Sequence, residues 1–149
     1  EHREQVGKAR ERAAQVASMN HLKQIAMAFH SHLLDHNKGP ATLVELLPYL
    51  GDDDKVLLSP AVKDHGERET DYVYFGAGIT REALEEVAGA KKVLACDRFD
   101  NHGGKMIHAV FLDGHVERIE LNDGEPLFGG EHAYLNQQLT KVALQGADG

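Results

Sequence analysis

The stretch "AVFLDGHVERIEL", residues 109–121, decides the fold class because it reads as two strands joined by a tight turn. Asp113-Gly114 lies between two runs that are rich in apolar and β-branched residues. Asp-Gly between such runs predicts a two-residue β-hairpin turn of type I′. The predicted antiparallel cross-strand pairs are Leu112 with His115, Val110 with Glu117, and His108 with Ile119.

Two further segments upstream of this hairpin read as strands. "YVYFGAG", residues 72–78, is rich in aromatic and β-branched residues, and "KKVLACD", residues 91–97, has an apolar centre. Strands that are joined by short connections pair antiparallel. The sequence therefore predicts a small antiparallel sheet.

Residues 3–36 predict one long helix. Its apolar or small residues recur every three or four positions, which places them on one face of a helix. They are Val6, Ala9, Ala13, Val16, Met19, Leu22, Ala26, Phe29 and Leu33. The stripe is mostly alanine before Val16 and bulky after Met19, so we expect the first half to project from the domain and the second half to dock on it. Gly39, which can adopt the left-handed backbone conformation, and Pro40 are expected to stop the helix.

The whole chain, residues 1–149, predicts a single α+β domain in which the long helix packs on one face of the antiparallel sheet. Its expected parts are the helix (3–36), a short helix with loops (37–71), the sheet region (72–121) and a C-terminal tail with a helical pattern (122–149).

Charge and composition exclude some classes of protein. The formal net charge of −8 argues against a nucleic-acid partner, since binding phosphates requires clustered Lys and Arg. No apolar run approaches the roughly 20 residues of a membrane helix. Because the chain begins with Glu1 rather than Met, we expect a processed or truncated product. Cys96 is the lone cysteine, which rules out an intrachain disulfide.

Four residues on or beside the hairpin are candidates for metal-dependent chemistry. They are His102, His108, Asp113 and His115, and histidine with aspartate can hold Zn²⁺. The predicted register puts both strand histidines on one sheet face, but two pairs apart. The competing interpretation is that the aspartate serves the turn, where it tolerates a positive φ, and that the histidines are half-exposed polar residues.

Other candidate sites are weaker. His32 and His36 have the i, i+4 spacing of helical metal ligands, although "HExxH" is absent. The acidic turns at 52–54 and 122–125, the latter with Asp123 and Glu125, could hold Ca²⁺ but lack EF-hand spacing. Cys96 is expected to be buried and inert, and no serine has "GxSxG" context. We therefore expect no catalytic residue and no cofactor beyond that Ca²⁺.

Two phrases resemble those of type IV pilin-like proteins and type II secretion pseudopilins. "NHLKQIAMAFHSH", residues 20–32, is similar to the phrase "NNLKQIGLALHNY" of a large pseudopilin-like family. "HGGKMIHAVFLDGHV", residues 102–116, is similar to that family's "HGGGANVLFADGHV", its His-x9-Asp-Gly motif. Here ten residues, rather than nine, separate His102 from Asp113. "LLPYL" followed by "VLLSPAV" also resembles the family, with Ser59 where a cysteine is common.

The resemblance implies a filament subunit rather than an enzyme. A hydrophobic segment of about 20–25 residues would precede Glu1, be processed and methylated as a prepilin, and anchor the subunit in the bacterial inner membrane. The globular domain would face the periplasm or cell exterior. The partners implied are other pilin-like subunits, contacted through the N-terminal helix, and the secretion or pilus assembly machinery. His102, Asp113 and Gly114 would form a structural motif in which the histidine bonds the turn carboxylate.

Two alternative functions stay open. The same scaffold could serve as a ligand- or partner-binding domain, which predicts a pocket between the sheet and the C-terminal tail. A metal-dependent hydrolase would require His102, His108, Asp113 or His115 to converge on an ion.

Overall fold

A computed structural model describes residues 2–62, 65–66, 69–86, 89–121, 128 and 130–139. The helices are α1 (His2–His36) and α2 (Arg81–Glu86), and the strands are β1 (Tyr72–Tyr74), β2 (Val93–Asp97), β3 (Met106–Phe111) and β4 (Val116–Glu120). Short 3-10 helices span Leu43–Leu50, Asp54–Leu57, Gly89–Lys91 and Gly130–Leu135. The strands form one sheet in the order β1-β2-β3-β4, and every neighbouring pair is antiparallel. The predicted α+β class, with a long N-terminal helix and a small antiparallel sheet, is confirmed.

Only the second half of α1 enters the core. Residues 7–13 are all exposed, and from residue 7 onwards, where side-chain burial is described, the first fully buried position is Ser18. Leu22, Phe29 and Leu33 are buried as the stripe predicts, but Val16 is 55% exposed. The described part of the first half therefore lies outside the core and the second half docks on the domain, as the change from alanine to bulky residues predicts.

The end of α1 differs from the prediction. Asn37, rather than Gly39, adopts the left-handed conformation, with φ of 66°. Its backbone N–H donates to the carbonyl of Leu33 over 2.8 Å. Gly39 is needed for a different reason. A Cβ atom there would lie 2.2 Å from the carbonyl oxygen of Gly76 and 2.6 Å from the ring of Phe29.

The sheet is buried on both faces, whereas the sequence predicts only that the long helix covers one face. Residues of α1 pack against one face, where Leu94 and Val110 lie. On the opposite face, Phe128, Leu135 and Leu139 pack in one cluster with the apolar side chains of β2, β3 and β4. Every residue of β2 and β3 is buried as a result. The space between the sheet and residues 130–139 is thus occupied by packed side chains.

The hairpin register differs by one residue from the prediction. Val110 pairs with Val116, and His108 pairs with Arg118. The loop has three residues instead of two: the N–H of Gly114 donates to the Phe111 carbonyl over 2.8 Å, and Gly114 has φ of 94°. A turn followed by a left-handed glycine is the common three-residue hairpin. The positive φ falls on Gly114 and not on Asp113.

The shifted register separates the two strand histidines. Because side chains alternate across a strand, a one-residue shift moves a side chain to the other face. His108 shares the α1-facing side with Val110, whereas His115 stacks on Phe111 on the other side, with ring centroids 4.5 Å apart. The prediction that His108 and His115 share a sheet face is wrong.

Candidate functional site

A buried carboxylate at the end of β2 organises the candidate site. Asp97 is the last residue of β2 and is fully buried. The β2–β3 register brings it beside His108, which is 1% exposed. The Oδ2 atom of Asp97 accepts the backbone N–H of His108 over 2.8 Å and lies 3.2 Å from its Nδ1. Both contacts depend on the pairing of two strands.

The loop after β2 brings a second histidine to the same oxygen. Gly103 and Gly104 both have φ above 70°, a conformation that glycine adopts without strain and that reverses the chain here. His102 precedes them, and its Nε2 lies 2.9 Å from Asp97 Oδ2. The His102 side chain is only 5% exposed. Two imidazoles thus share one carboxylate oxygen in the protein interior.

Asn101 holds the other oxygen of Asp97. Its Nδ2 donates to Asp97 Oδ1 over 3.2 Å and to the backbone carbonyl of Asp71 over 2.8 Å. Because both partners are acceptors, the amide orientation is fixed. The Oδ1 atom of Asn101 is buried and has no hydrogen-bond donor among the described residues.

Electrostatics keep Asp97 ionised. Burial alone would raise its pKa, but hydrogen bonds from His102 and His108 outweigh burial and lower the pKa to about 2. In the part of the chain that the structure describes, its ion-pair partners are these two histidines and include no Lys or Arg. Buried charges in proteins are paired or coordinate metals. Four hydrogen-bond donors surround the two carboxylate oxygens of Asp97, and they stabilise its charged form.

A second buried polar group ties α1 to this region. The hydroxyls of Ser18 and Ser59 lie 3.0 Å apart, and the N–H of Ser59 donates to Asp71 Oδ2 over 2.8 Å. Asp71 in turn accepts the Asn101 amide through its backbone carbonyl. A hydrogen-bonded path therefore connects the buried face of α1 with the Asp97 cluster.

The second histidine cluster lies at the opposite end of β3, near the surface. Asp113 Oδ1 accepts the N–H of His115 over 3.0 Å and contacts its Nδ1. The Nε2 of His115 lies 2.9 Å from Glu117, which also contacts His132 over 3.2 Å. The side chains of Asp113 and His115 are 39% and 37% exposed. Asp113 serves the turn, as the simpler interpretation of the sequence predicts, but through its side chain and not through a positive φ. The half-exposed histidines of that interpretation are found at His115 only, and the expectation is wrong for His102 and His108, which are buried.

The four sequence-predicted metal candidates divide between these clusters. His102 and His108 meet at Asp97, while Asp113 and His115 contact each other elsewhere. The predicted bond between His102 and Asp113 is therefore wrong, because β3 separates the two residues. Asp97 was missed by the sequence analysis. The available signal was a lone acidic residue that ends an otherwise apolar strand.

The remaining predicted sites have ordinary partners or are not described. The rings of His32 and His36 lie 4.3 Å apart on α1, and His32 also contacts the Lys38 carbonyl. Asp53 caps the 3-10 helix Asp54–Leu57 by accepting the N–H of Lys55. Asp123 and Glu125 lie outside the described residues.

The predicted burial of Cys96 is confirmed. Cys96 is fully buried in β2, as expected, and burial raises the pKa of its thiol. A neutral buried thiol is a weak nucleophile. The hydroxyls of Ser18 and Ser59 face each other.

Comparisons with known proteins leave the site to be interpreted from its geometry. No family model, curated protein or solved structure matches the chain. None of the helices in the described residues combines the length and the apolar character needed to cross a membrane.

Proposed function

We propose that the chain is a pilin-like structural subunit of a type II secretion or type IV pilus-like filament, and not an enzyme. The observation that carries the proposal is the exposed N-terminal half of α1. This helix has 35 residues, about 52 Å of helix axis, yet residues 7–13 have exposed side chains. A helix that extends beyond its own core is available for contacts with neighbouring subunits.

The solvent-facing side of α1 supports the same proposal. Val16, Met27 and Leu34 are 55%, 72% and 65% exposed. Their separations of eleven and seven residues place them within about 20° of one another around the helix axis. They are single exposed apolar residues on the side opposite the buried one, with the exposed Asn20 and Lys23 between Val16 and Met27. Contacts between helices of neighbouring subunits in the proposed filament would cover them.

The remainder of the fold is compatible with a rigid globular head. Both faces of the sheet are covered, and β3 is buried along its whole length. In the proposed filament, helices of successive subunits pack together and the heads lie outside. Such head-to-tail contacts generate open helical assemblies because they do not close. An upstream anchor in the inner membrane and an outward-facing domain belong to this proposal.

Two alternatives have narrower support. For a binding domain, a groove of about 420 Å³ lies beside β1 and is lined by Leu43, Tyr74 and Phe99 among others. This groove is not between the sheet and the tail, where the binding alternative expected a pocket. For a metal-dependent hydrolase, His102 and His108, two of its four candidate residues, converge together with Asp97.

Thiol cross-linking in the native cells tests the filament proposal. The double variant Ala9→Cys/Ala13→Cys places two thiols on the exposed half of α1, and the full-length gene keeps whatever segment precedes Glu1. Cys96 is buried and contributes little background. A bifunctional thiol reagent should give a ladder that extends beyond the dimer, because each chain can then link to two neighbours.

The matched control is Arg81→Cys/Glu85→Cys, which has the same four-residue spacing at exposed positions of helix α2. It should give little cross-linking beyond the monomer. A ladder of equal length from the control, or products that stop at the dimer for the α1 variant, would contradict the filament proposal.

A further inference from the structure

Three ligating atoms converge in the buried cluster, and the filament proposal uses none of them. They are Oδ2 of Asp97, Nε2 of His102 and Nδ1 of His108, which all lie within 4.8 Å of one another. We propose that these three residues form a binding site for one transition metal ion of the Zn²⁺ type. This proposal concerns the chain itself and does not depend on filament assembly.

The distances fit a tetrahedral ion. Zn²⁺ binds imidazole nitrogen and carboxylate oxygen at about 2.0–2.2 Å, so neighbouring ligand atoms of a tetrahedron lie roughly 3.3 Å apart. Asp97 Oδ2 is 2.9 Å from the His102 nitrogen and 3.2 Å from the His108 nitrogen. These two distances match the edge of such a tetrahedron, and the two ring nitrogens lie within 4.8 Å of each other. Each nitrogen gives up its N–H proton on binding, and solvent carries that proton away or returns it to the other ring nitrogen.

The donor set selects the class of metal. Two imidazoles and one carboxylate suit Zn²⁺ and related transition metals, whereas Ca²⁺ and Mg²⁺ prefer oxygen ligands. The positive charge of the ion would also balance the buried carboxylate of Asp97, which is fully buried. Three protein ligands leave the fourth tetrahedral position for water or an external ligand.

The surroundings of the cluster resemble a supporting shell. The Asn101 amide holds the second oxygen of Asp97 at 3.2 Å, which fixes the orientation of the carboxylate. Metal-binding carboxylates are commonly held in this way. The amide oxygen of Asn101 is an additional buried oxygen that has no donor in the described residues.

A groove gives the site a route to solvent. His102 and Asn101 line one side of a groove of about 630 Å³, and Arg10 and Glu11 of α1 line the other. An ion or a fourth ligand can therefore approach His102 from outside. The surface cluster around His115 lacks the corresponding geometry, since its two ring nitrogens face different carboxylates.

Metal titration of the purified chain tests the proposal. After EDTA treatment and dialysis, ZnCl₂ is titrated by calorimetry and the bound metal is counted by elemental analysis. We expect one Zn²⁺ ion to bind per chain, and we expect Ca²⁺ not to bind with comparable affinity. Co²⁺ in place of Zn²⁺ should give the intense visible absorption of a low-coordinate site, and both ions should raise the melting temperature.

Variants locate the ion. His102→Gln alters a loop residue and should weaken Zn²⁺ binding by at least about 10–100-fold, the loss that supporting residues alone produce. His108→Gln should do the same. His115→Gln removes a histidine from the other cluster and should leave the affinity unchanged. Circular dichroism of each variant checks that it is folded.

Three results would overturn the proposal. The first is a wild-type chain that binds less than one Zn²⁺ at concentrations where folded proteins with built sites saturate. The others are a folded His102→Gln variant with wild-type Zn²⁺ affinity, and a loss of Zn²⁺ affinity that follows His36→Gln instead. The last result would place the ion on the exposed histidine pair of α1. None of these outcomes bears on the cross-linking ladder, so the two proposals can fail separately.

Discussion

Replacing Asp97 with asparagine should destabilise the fold more than any conservative surface change. Its Oδ2 accepts three donors, from the His102 ring and from the ring and backbone of His108, and its Oδ1 accepts the Asn101 amide. An asparagine side chain turns one of these oxygens into a donor, which then faces another donor. Asn101 cannot rotate to relieve the conflict, because its oxygen would then face the carbonyl of Asp71.

The expected loss for Asp97→Asn is about 2–4 kcal/mol. A buried polar group that loses its partner costs roughly 1–3 kcal/mol, and hydrogen bonds to a charged acceptor exceed neutral ones by roughly 1 kcal/mol. A second route gives a similar size. The fall of the Asp97 pKa from 3.8 to about 2 corresponds to about 2 kcal/mol of stability at neutral pH.

Urea unfolding at pH 7 in the presence of EDTA measures this loss. Asp113→Asn is the matched control: it also removes a carboxylate that contacts a histidine, but that side chain is 39% exposed. Solvent screening should limit its effect to less than about 1 kcal/mol. Because the folded-state pKa of Asp97 is lowered, its contribution is present above about pH 4 and is lost as the pH falls towards 2.

The difference between wild type and Asp97→Asn should therefore narrow over that acid range. Equal losses of stability for Asp97→Asn and Asp113→Asn at pH 7 would refute the account of the buried carboxylate. A difference in stability between wild type and Asp97→Asn that stays constant as the solution is acidified would refute it as well. A changed m-value would indicate instead that the variant unfolds from a less compact native state.

Three further predictions test other parts of the fold by the same unfolding assay. Phe29→Ala should cost about 3–5 kcal/mol because its ring is fully buried, whereas Met27→Ala, at 72% exposure, should change stability by less than about 0.5 kcal/mol. Gly39→Ala should cost about 1–3 kcal/mol, since the added Cβ would lie 2.2 Å from a backbone oxygen. Burial lowers the pKa of His115, but hydrogen bonds to Glu117 and to the turn carboxylate outweigh it and raise the pKa, while the pKa of Glu117 is lowered. His115→Gln should therefore be most destabilising between about pH 4.5 and 6.5, and its effect should fade as the pH rises through the pKa of His115.

Each of these has a clear contrary result. Equal losses at positions 27 and 29 would contradict the assigned faces of α1. A Gly39→Ala variant with wild-type stability would contradict the close approach of the two backbone segments. A His115→Gln loss that does not vary with pH would mean that packing on Phe111, rather than ion pairing, determines the contribution of that ring.

The helix and the fold class could be predicted because their signals are local. A stripe of apolar residues every three or four positions depends only on neighbours along one helix, and the predicted span of 3–36 agrees with His2–His36. The cap of the 3-10 helix Leu43–Leu50 is equally local, because the Glu45 carboxylate accepts the N–H of Thr42, three residues away, over 3.1 Å. The second covering layer could not be found in this way, because it depends on where distant residues such as Leu139 pack.

The buried site could not be predicted because it depends on register. Asp-Gly is compatible with two- and three-residue hairpin loops, and the choice between them decides which face each strand residue occupies. The bulge between Val93 and Ala95 shifts the β2–β3 register, and that pairing then brings Asp97 beside His108. No spacing within either strand carries this information.

The two histidine–aspartate pairs at the ends of β3 show why composition alone does not define a site. The pair at Asp113 follows the motif that draws attention in the sequence, yet it is more than a third exposed, and water screens its charge. Asp97 lies outside that motif, but its carboxylate is buried and contacts two imidazoles. Burial makes an unpaired charge costly, so the carboxylate depends on the donors that surround it. The buried cluster of ligating side chains therefore lies at the end of β3 that is distant from the Asp-Gly turn.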